Sequence, residues 1–297
     1  MALFERFAAH QGEVGGLPIS RALPLRQRRT IGAWCFLDHA GPATLPPGAG
    51  MRVGPHPHTG LQTFSWMMEG EILHRDSLGH EQLLRPGQVN LMTAGSGISH
   101  SEESRTDRLH LAQLWIALPD SQRFGPAAFQ HYPDLPQLGQ DGYDLTVLVG
   151  SYGGHTAPVQ VHTPLLGLDI IGRPGAETKL ALAPGFEQGL MVTEGEVELE
   201  IDGQVETLAP GELLYIAPGP QQLRLSNSAA CRLMLLGGPP WEGELLLWWN
   251  FVGRTPAEIQ QFAADWNAGR GDFGEVKGFD GPRLLAPEVP PLRSGTR

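Results

Sequence analysis

An internal repeat constrains the fold of this chain more than any other feature. The segment FSWMMEGEILHRDSLGHEQLLRPGQVNLMTAG is similar to a segment in the second half, LMVTEGEVELEIDGQVETLAPGELLYIAPG. Each copy runs from an apolar strand through Glu-Gly-Glu into a turn, and then through Pro-Gly into a second apolar strand. The 39 glycines and 26 prolines supply many turns between short strands. The chain is therefore predicted to be mainly β, with two related units.

Composition changes and the repeat together predict the domain boundaries. We expect an N-terminal unit at 1–132, a linker at 133–144 and a C-terminal unit at 145–297. The linker prediction rests on PDLPQLGQDGYD, which is rich in Pro, Gly and Asp. The tail LLAPEVPPLRSGTR is expected to be poorly ordered at its end or to lie over a unit's surface.

One helix is predicted near the C-terminus, at about 256–268. Thr255 suits the N-cap, Pro256 suits the first turn, and Glu258 completes a capping box. The apolar side chains recur at helical spacing and predict a face that packs on the second unit: Ile259, Phe262, Ala263 and Trp266.

The net charge of −11 and the pI near 5.4 argue against general attraction to nucleic acid or to an anionic membrane. No apolar run approaches the roughly 20 residues of a membrane span, and the first residues lack a signal-peptide pattern. We expect a soluble, cytoplasmic monomer. Two interpretations remain for the basic cluster near the N-terminus, either a solvated strand face or a surface for a regulatory protein partner: Arg21, Arg26, Arg28 and Arg29.

Two cysteines, Cys35 and Cys231, stand in apolar surroundings in separate halves of the chain. They are predicted to be buried thiols of a reducing compartment rather than a disulfide.

Two pairs of possible metal ligands, one His-x-His and one His-x-Glu, carry the strongest indication of chemistry. His56 and His58 in GPHPHTG are spaced i, i+2, as are His100 and Glu102 in GISHSEE. Residues two apart on a strand project from the same face, so two such strands would bring three imidazoles and a carboxylate to one point. The sequence therefore predicts a metal site. His39, before a Gly-Pro turn, is interpreted as a structural hydrogen-bonding residue.

Side chains near these pairs are interpreted by the same alternation. In the strand from Leu61 to Met68, the even positions are predicted to share the face of the histidines, unless a bulge at Gly60 reverses the parity: Gln62, Phe64, Trp66 and Met68. Gln62 would then lie close to the metal, and the apolar members would either line a pocket or form packed core. His74 and His80, on the hairpin that follows, are expected to be exposed.

The predicted donor set limits the metal. Three neutral imidazoles and one carboxylate leave a divalent ion with a net charge of about +1 and two open positions in octahedral geometry. Iron, manganese, cobalt, nickel or copper would fit. Zinc fits less well, because a zinc ion with four protein ligands is usually closed and structural.

Longer motifs in the chain resemble one protein family. HPHTGLQTFSWMMEGEILHRDSLG and PGQVNLMTAGSGISHSE are similar to pirin sequences, as are AQLWIALP, GGPPWEGE and EIQQFAADWNAG. The resemblance implies two tandem cupin-type (jelly-roll) β-barrels, with one metal in the N-terminal barrel. The metal ligands that it implies are His56, His58, His100 and Glu102. The second barrel is degenerate, because PGFEQGL replaces HPHTGLQ and no HSE follows.

The resemblance also implies activity. Several pirin-like proteins resemble quercetin 2,3-dioxygenases, which would make Glu102 the base that takes the 3-hydroxyl proton of a flavonol before O2 cleaves the heterocycle and carbon monoxide leaves. Many members carry Glu where this chain has Gln62, so a base role at that position is not expected here. Two alternatives stay open: a metal-binding, redox-responsive regulator of a transcription factor, and a dioxygenase or isomerase acting on another substrate.

Overall fold

The computed structural model describes residues 4–46 and 50–292, and it confirms a mainly β chain. In the first half the strands are β1 (Phe4–Ala8), β2 (His10–Val14), β3 (Leu17–Leu23), β4 (Trp34–Thr44), β5 (Arg52–His58), β6 (Leu61–Glu69), β7 (Ile72–Asp76), β8 (Glu81–Leu84), β9 (Val89–Thr93), β10 (Ile98–Ser104), β11 (Arg108–Ala117) and β12 (Ala128–Tyr132).

The second half continues with shorter strands and the helix. These are β13 (Gln137–Gln140), β14 (Tyr143–Val149), β15 (Ser151–Tyr152), β16 (His155–Thr156), β17 (Leu166–Gly172), β18 (Glu177–Ala181), β19 (Glu187–Glu194), β20 (Val197–Ile201), β21 (Gln204–Leu208), β22 (Glu212–Ile216), β23 (Gln222–Ser226), β24 (Cys231–Gly238), β25 (Leu246–Trp248), β26 (Phe251–Gly253) and α1 (Pro256–Asn267).

The described residues group into two compact units. Unit A is drawn from Gly12–Ile19, Ala40–Pro133 and Glu242–Arg297, and unit B from Met1–Gln11, Ser20–His39 and Asp134–Trp241. Neither unit follows the continuous ranges 1–132 and 145–297 that the sequence suggests. Non-local pairing explains the difference, because β1 pairs with β22 within unit B and α1 contacts β25 and β26 within unit A.

The segment 133–144 is more than a linker. Its strand β13 pairs antiparallel with β14, with Gln140 opposite Tyr143, so that the Asp141-Gly142 turn closes a hairpin. Asp141 and Gly142 both have positive φ, which is the turn geometry that Asp-Gly favours. The Pro, Gly and Asp residues therefore marked a turn between strands.

The repeat in the sequence is a repeat in topology. In unit A, β9-β6-β11 are neighbours in one sheet and β5-β10-β7-β8 form another. In unit B, β22-β19-β24 and β18-β23-β20-β21 have the same order. Both Glu-Gly-Glu turns need glycine, because Gly70 and Gly195 have positive φ and an added Cβ would overlap a backbone carbonyl oxygen. The two copies therefore fold alike for the same local reasons.

Helix α1 begins as the sequence predicts, but it belongs to unit A, where it contacts β25 and β26, and not to the C-terminal unit. The Thr255 hydroxyl accepts a hydrogen bond from the Glu258 amide at 3.2 Å, and the Glu258 carboxylate accepts one from the Arg254 amide at 2.7 Å. Ile259, Ala263 and Trp266 are buried. No helix in the described part of the chain has the length and apolarity to cross a bilayer.

The tail lies against this helix as far as residue 292. The Trp266 indole N–H donates to the Leu284 carbonyl at 2.7 Å, and Asn267 bonds to both the amide and the carbonyl of Ala286. Ala286 belongs to the same buried apolar cluster as Trp266. This supports the wrapping alternative for the tail; residues 293–297, its predicted disordered end, lie outside the described residues.

Two of the four arginines in the basic cluster, Arg21 and Arg28, have partners within unit B. The Arg21 guanidinium donates two hydrogen bonds of 2.7 Å to Asp38, and Arg28 lies over the Tyr215 ring at 3.4 Å. Cys35 and Cys231 are both buried and form no disulfide, as predicted.

His39 provides a test of pH-dependent stability in unit B. It is buried, and burial, followed by the charge of Arg232, lowers its pKa from 6.5 to about 4. The folded state therefore binds this proton less readily than the unfolded state, so stability present above pH 6.5 is lost as the pH falls towards 4.

We expect His39→Gln to show this difference. Between about pH 7 and pH 5, the wild-type free energy of unfolding should fall by about 2 kcal/mol more than that of the variant. Urea unfolding of both metal-free proteins at each pH measures this. The same pH dependence in both would contradict the assignment.

Candidate metal centre

Strands β5 and β10 bring the three predicted histidines together. The strands pair antiparallel, with His100 directly opposite His56 and Ile98 opposite His58. The ring centroid of His56 lies 5.0 Å from that of His58 and 4.4 Å from that of His100, and all three residues are buried. Their side chains offer ligand atoms that all lie within 4.8 Å of one another. Alternation on two paired strands is sufficient to produce this arrangement.

In His56 and His58, the ring nitrogen Nδ1 contacts a backbone carbonyl oxygen. His56 Nδ1 lies 2.9 Å from the Gly54 carbonyl oxygen, and His58 Nδ1 lies 3.2 Å from that of Asn250. A carbonyl oxygen only accepts, so each Nδ1 carries the proton and donates. Since a neutral imidazole has one N–H, Nε2 of both rings presents a lone pair. This is the form in which histidine binds a metal.

The inward nitrogens indicate a cation. His58 Nε2 and His100 Nε2 lie 3.0 Å apart, which would be repulsive for two lone pairs with nothing between them. The imidazoles stay neutral, because burial lowers the pKa of His56 to about 4 and those of His58 and His100 well below the ordinary range. The two lone pairs then face each other when His100 carries its proton on Nδ1, which lies 3.3 Å from His74 Nδ1. Three neutral imidazoles with converging lone pairs are suited to a transition-metal ion. The donor set therefore fits the predicted metal.

Glu102 lies in a different group from His56 and His58. The β10 register shifts between His100 and Glu102, so Glu102 is opposite Val53 on one side and His74 on the other. Its carboxylate forms a second possible cation-binding group with His74 and His100, within 4.8 Å. The residue is half-buried, and burial raises its pKa to about 7. The structure thus brings Glu102 beside His100 without joining it to the three-histidine group.

His74 was predicted to be exposed, and that prediction is wrong. It is 3% exposed, its Nδ1 lies 3.3 Å from His100 Nδ1, and its ring stacks on Phe129 at 4.4 Å. Its Nε2 lies 3.1 Å from Asp76 Oδ2. His80 is exposed, as expected. The i, i+2 spacing of His74 and Asp76 was the available signal, since it puts both side chains on one face of β7.

Gln62 was expected to lie near the metal, and the structure turns it away. Trp115 contacts the His58 ring at 5.2 Å and lies directly opposite Thr63, so the odd positions of β6 face the histidines. Gln62 points to the other face, where it donates to the Thr93 hydroxyl at 2.9 Å. The even positions Phe64, Trp66 and Met68 share that buried face, which favours the packed-core alternative.

The parity reverses because the chain changes sheets. β5 pairs in the four-stranded sheet and β6 in the seven-stranded one, and Gly60 has a φ of 68° in the connection between them. Side-chain alternation holds only within a continuous strand, so it cannot be carried from His58 to Gln62. The reversal that the sequence allowed at Gly60 is therefore the one observed.

The face opposite the histidines combines aromatic and polar side chains. Trp115 and Phe129 contact His58 and His74 respectively. Two residues along the same face of β6 from Thr63, Ser65 Oγ donates to Gln113 Oε1 on β11 at 2.8 Å. Asn90 on β9 lies opposite Ser65, and its Oδ1 lies 2.8 Å from Nδ1 of His131 on β12. This wall offers both ring contacts and hydrogen-bonding groups.

Known proteins match the chain over nearly its whole length. The family model Pirin matches residues 16–116, and the Pirin C-terminal cupin domain matches residues 167–272. A Pseudomonas aeruginosa protein provisionally named quercetin 2,3-dioxygenase is 50% identical over 291 residues, covering 97% of this chain and 91% of that protein. The crystal structure of quercetin 2,3-dioxygenase from Acinetobacter baumannii has a TM-score of 0.94 and 47% identity, covering 98% of each chain.

A more distant structure shares the fold. The bacterial pirin of Escherichia coli, solved in complex with nickel(II), has a TM-score of 0.61 and 20% identity, covering 80% of this chain and 100% of that one. Because family models match both halves of the repeat and one relative is half identical over almost the entire chain, this protein belongs to the pirin family, with two tandem cupin units.

Proposed function

We propose that this protein is a metal-dependent dioxygenase that cleaves the heterocycle of a flavonol with O2, as a quercetin 2,3-dioxygenase does. The observation that carries the proposal is the convergence of His56, His58 and His100, with His58 Nε2 and His100 Nε2 3.0 Å apart. Buried neutral imidazoles without protons on their inward nitrogens are suited to bind a transition-metal ion, which supports the proposal. The names of the relatives at 50% and 47% identity supply the reaction class.

The proposed ligands are His56, His58, His100 and Glu102. Fe(II) is the expected ion, and manganese, cobalt, nickel and copper are compatible with nitrogen and carboxylate donors. The nickel(II) in the Escherichia coli pirin belongs to that protein and does not identify the ion here. When bound, the ion would supply a Lewis-acidic, redox-active centre for an anionic oxygen ligand and O2.

The chain's own residues would bind the substrate and move its proton. Glu102 would loosen from the ion to accept the proton of the flavonol 3-hydroxyl, and its position outside the three-histidine group favours this movement. Trp115 and Phe129 would contact the flavonol rings, while Ser65 and Asn90 would face its hydroxyl groups. The reaction consumes one O2 and releases a depside and one carbon monoxide for each flavonol.

Intramolecular contacts of half of the basic cluster weaken the regulator alternative. Arg21 pairs with Asp38, and Arg28 contacts Glu5 and Tyr215, all within unit B. Two of the four arginines that suggested a partner surface are thus committed to intramolecular contacts.

Flavonol-dependent O2 uptake tests the proposal. The protein is loaded anaerobically with Fe(II), Mn, Co, Ni or Cu and compared with a metal-stripped control. We expect uptake that matches quercetin loss and carbon monoxide release, and that requires metal. Stoichiometric metal binding without uptake for any metal would reject the dioxygenase and favour the regulator.

A further inference from the structure

A line of three side chains runs from strand β7 to the metal centre. Asp76 Oδ2 lies 3.1 Å from His74 Nε2, and His74 Nδ1 lies 3.3 Å from His100 Nδ1. The register places Asp76 opposite His100 and Glu102 opposite His74 on adjacent strands. Asp76 and His74 are both buried, so water does not compete for these contacts. His100 is thereby linked to a buried carboxylate through a second imidazole.

At the Asp76 end of this line, the hydrogen bonds show which atoms donate and which accept. Asp76 Oδ1 accepts hydrogen bonds from the amides of Leu78 at 2.9 Å and His80 at 3.1 Å. These amides hold the carboxylate in place and leave Oδ2 as an acceptor toward His74 Nε2 at 3.1 Å and His80 Nδ1 at 3.0 Å. The proton on His74 must therefore be on Nε2, and His74 Nδ1 presents a lone pair.

The same reasoning assigns the proton of His100. Because His74 Nδ1 accepts, the proton of His100 is on Nδ1 and donates to it. The lone pair of His100 is then on Nε2, the atom that lies 3.0 Å from His58 Nε2. We propose that Asp76 and His74 are positioning residues that hold His100 in its metal-binding tautomer before any ion arrives. This inference rests on the metal centre of the proposed function, but not on the reaction.

Of the three histidines, His100 is the one whose Nδ1 is held by a side chain. The Nδ1 atoms of His56 and His58 donate to backbone carbonyls, which substitution does not remove. His74 is unsuited to be a ligand itself, because both of its nitrogens are used and its ring stacks on Phe129. Partners that orient a ligating histidine commonly contribute about 10- to 100-fold to metal affinity.

Asp76→Asn is the sharpest test, since it keeps the shape of the side chain and puts a hydrogen-bond donor where an acceptor faced His74. The two backbone amides would keep the amide oxygen at the Oδ1 position, so the NH2 group would face His74 Nε2. His74 would then carry its proton on Nδ1, where it opposes the N–H of His100. We expect the dissociation constant for Co(II), measured by competition with a chromophoric chelator, to rise about 10- to 100-fold.

Four further variants separate orientation from general damage. His74→Leu should weaken Co(II) binding similarly, and His74→Gln should restore part of it, because its amide oxygen can accept from His100 Nδ1. Asp76→Asn should add little to His74→Leu, since the two residues act in series. His80→Gln is the matched control: it removes a contact of 3.0 Å to the same carboxylate but lies outside the line, so binding should stay near wild type.

A spectroscopic measurement identifies the nitrogen. In water, Co(II)-loaded protein should give three exchangeable, hyperfine-shifted imidazole N–H resonances, and His74→Leu should broaden or shift only one. A fourth resonance that His74→Leu removes would make His74 a ligand and overturn the inference. Wild-type affinity in Asp76→Asn, or additive losses in the double variant, would also overturn it. Absence of Co(II) binding by the wild type would instead reject the metal centre itself.

Discussion

The His56→Ala variant is expected to lose flavonol-dependent O2 uptake down to the level of metal-stripped protein. The change removes one of three inward nitrogens from a buried group whose members lie within 4.8 Å. Loss of an orienting partner alone costs about 10- to 100-fold in metal affinity, so loss of a ligand should cost more than about 100-fold. Equilibrium dialysis with Fe(II) and an oxygen electrode measure binding and uptake on the same samples.

An exposed histidine provides the control for this result. His155 lies on strand β16 of unit B, and His155→Ala should leave both metal content and uptake unchanged. Undiminished uptake by His56→Ala, with the metal still bound, would show that His56 is not a ligand. Uptake lost in both variants would indicate general damage rather than a specific loss.

Glu102→Gln is expected to abolish turnover while the protein still binds metal. The three imidazoles remain, but the amide cannot accept the 3-hydroxyl proton as a carboxylate does. Positioned proton transfer contributes about 10²- to 10⁴-fold to the rate, and we expect kcat to decrease by a factor in that range. Metal content is measured beside the rate of quercetin loss, so that a lost base is separated from a lost ligand.

The neighbouring carboxylate gives a matched comparison. Glu103 is on the opposite face of β10, where it pairs with Arg52 and Arg75. Glu103→Gln should therefore alter stability more than kcat. A Glu102→Gln enzyme with normal turnover would end the proposed base role, and one that binds no metal would make Glu102 chiefly a ligand.

Local pattern was a reliable guide wherever a single strand or helix turn determined the answer. His56, His58 and His100 come together because alternation within β5 and β10 needs only antiparallel pairing to complete it. The N-cap at Thr255 depends on atoms three residues apart. Both predictions required no knowledge of distant chain segments.

Local pattern failed where the chain passes between sheets. The alternation that assigned Gln62 to the histidine face ends at Gly60, because β6 belongs to a different sheet from β5. His74 appeared to be a surface residue of a hairpin, yet β10 and Phe129 cover it. In each case the deciding contact comes from a strand that the local pattern does not specify.

Spacing and turn chemistry act over a few residues, so they were enough to predict the β-rich class, the repeated unit, the three inward histidines and the capped helix. Three features depend on the folded chain: which face of β6 lies toward the histidines, the hydrogen bond from His58 to a carbonyl 192 residues away, and the contacts from Asp76 through His74 to His100. Such partners are set by strand order and non-local pairing, which bring together residues that no local periodicity relates.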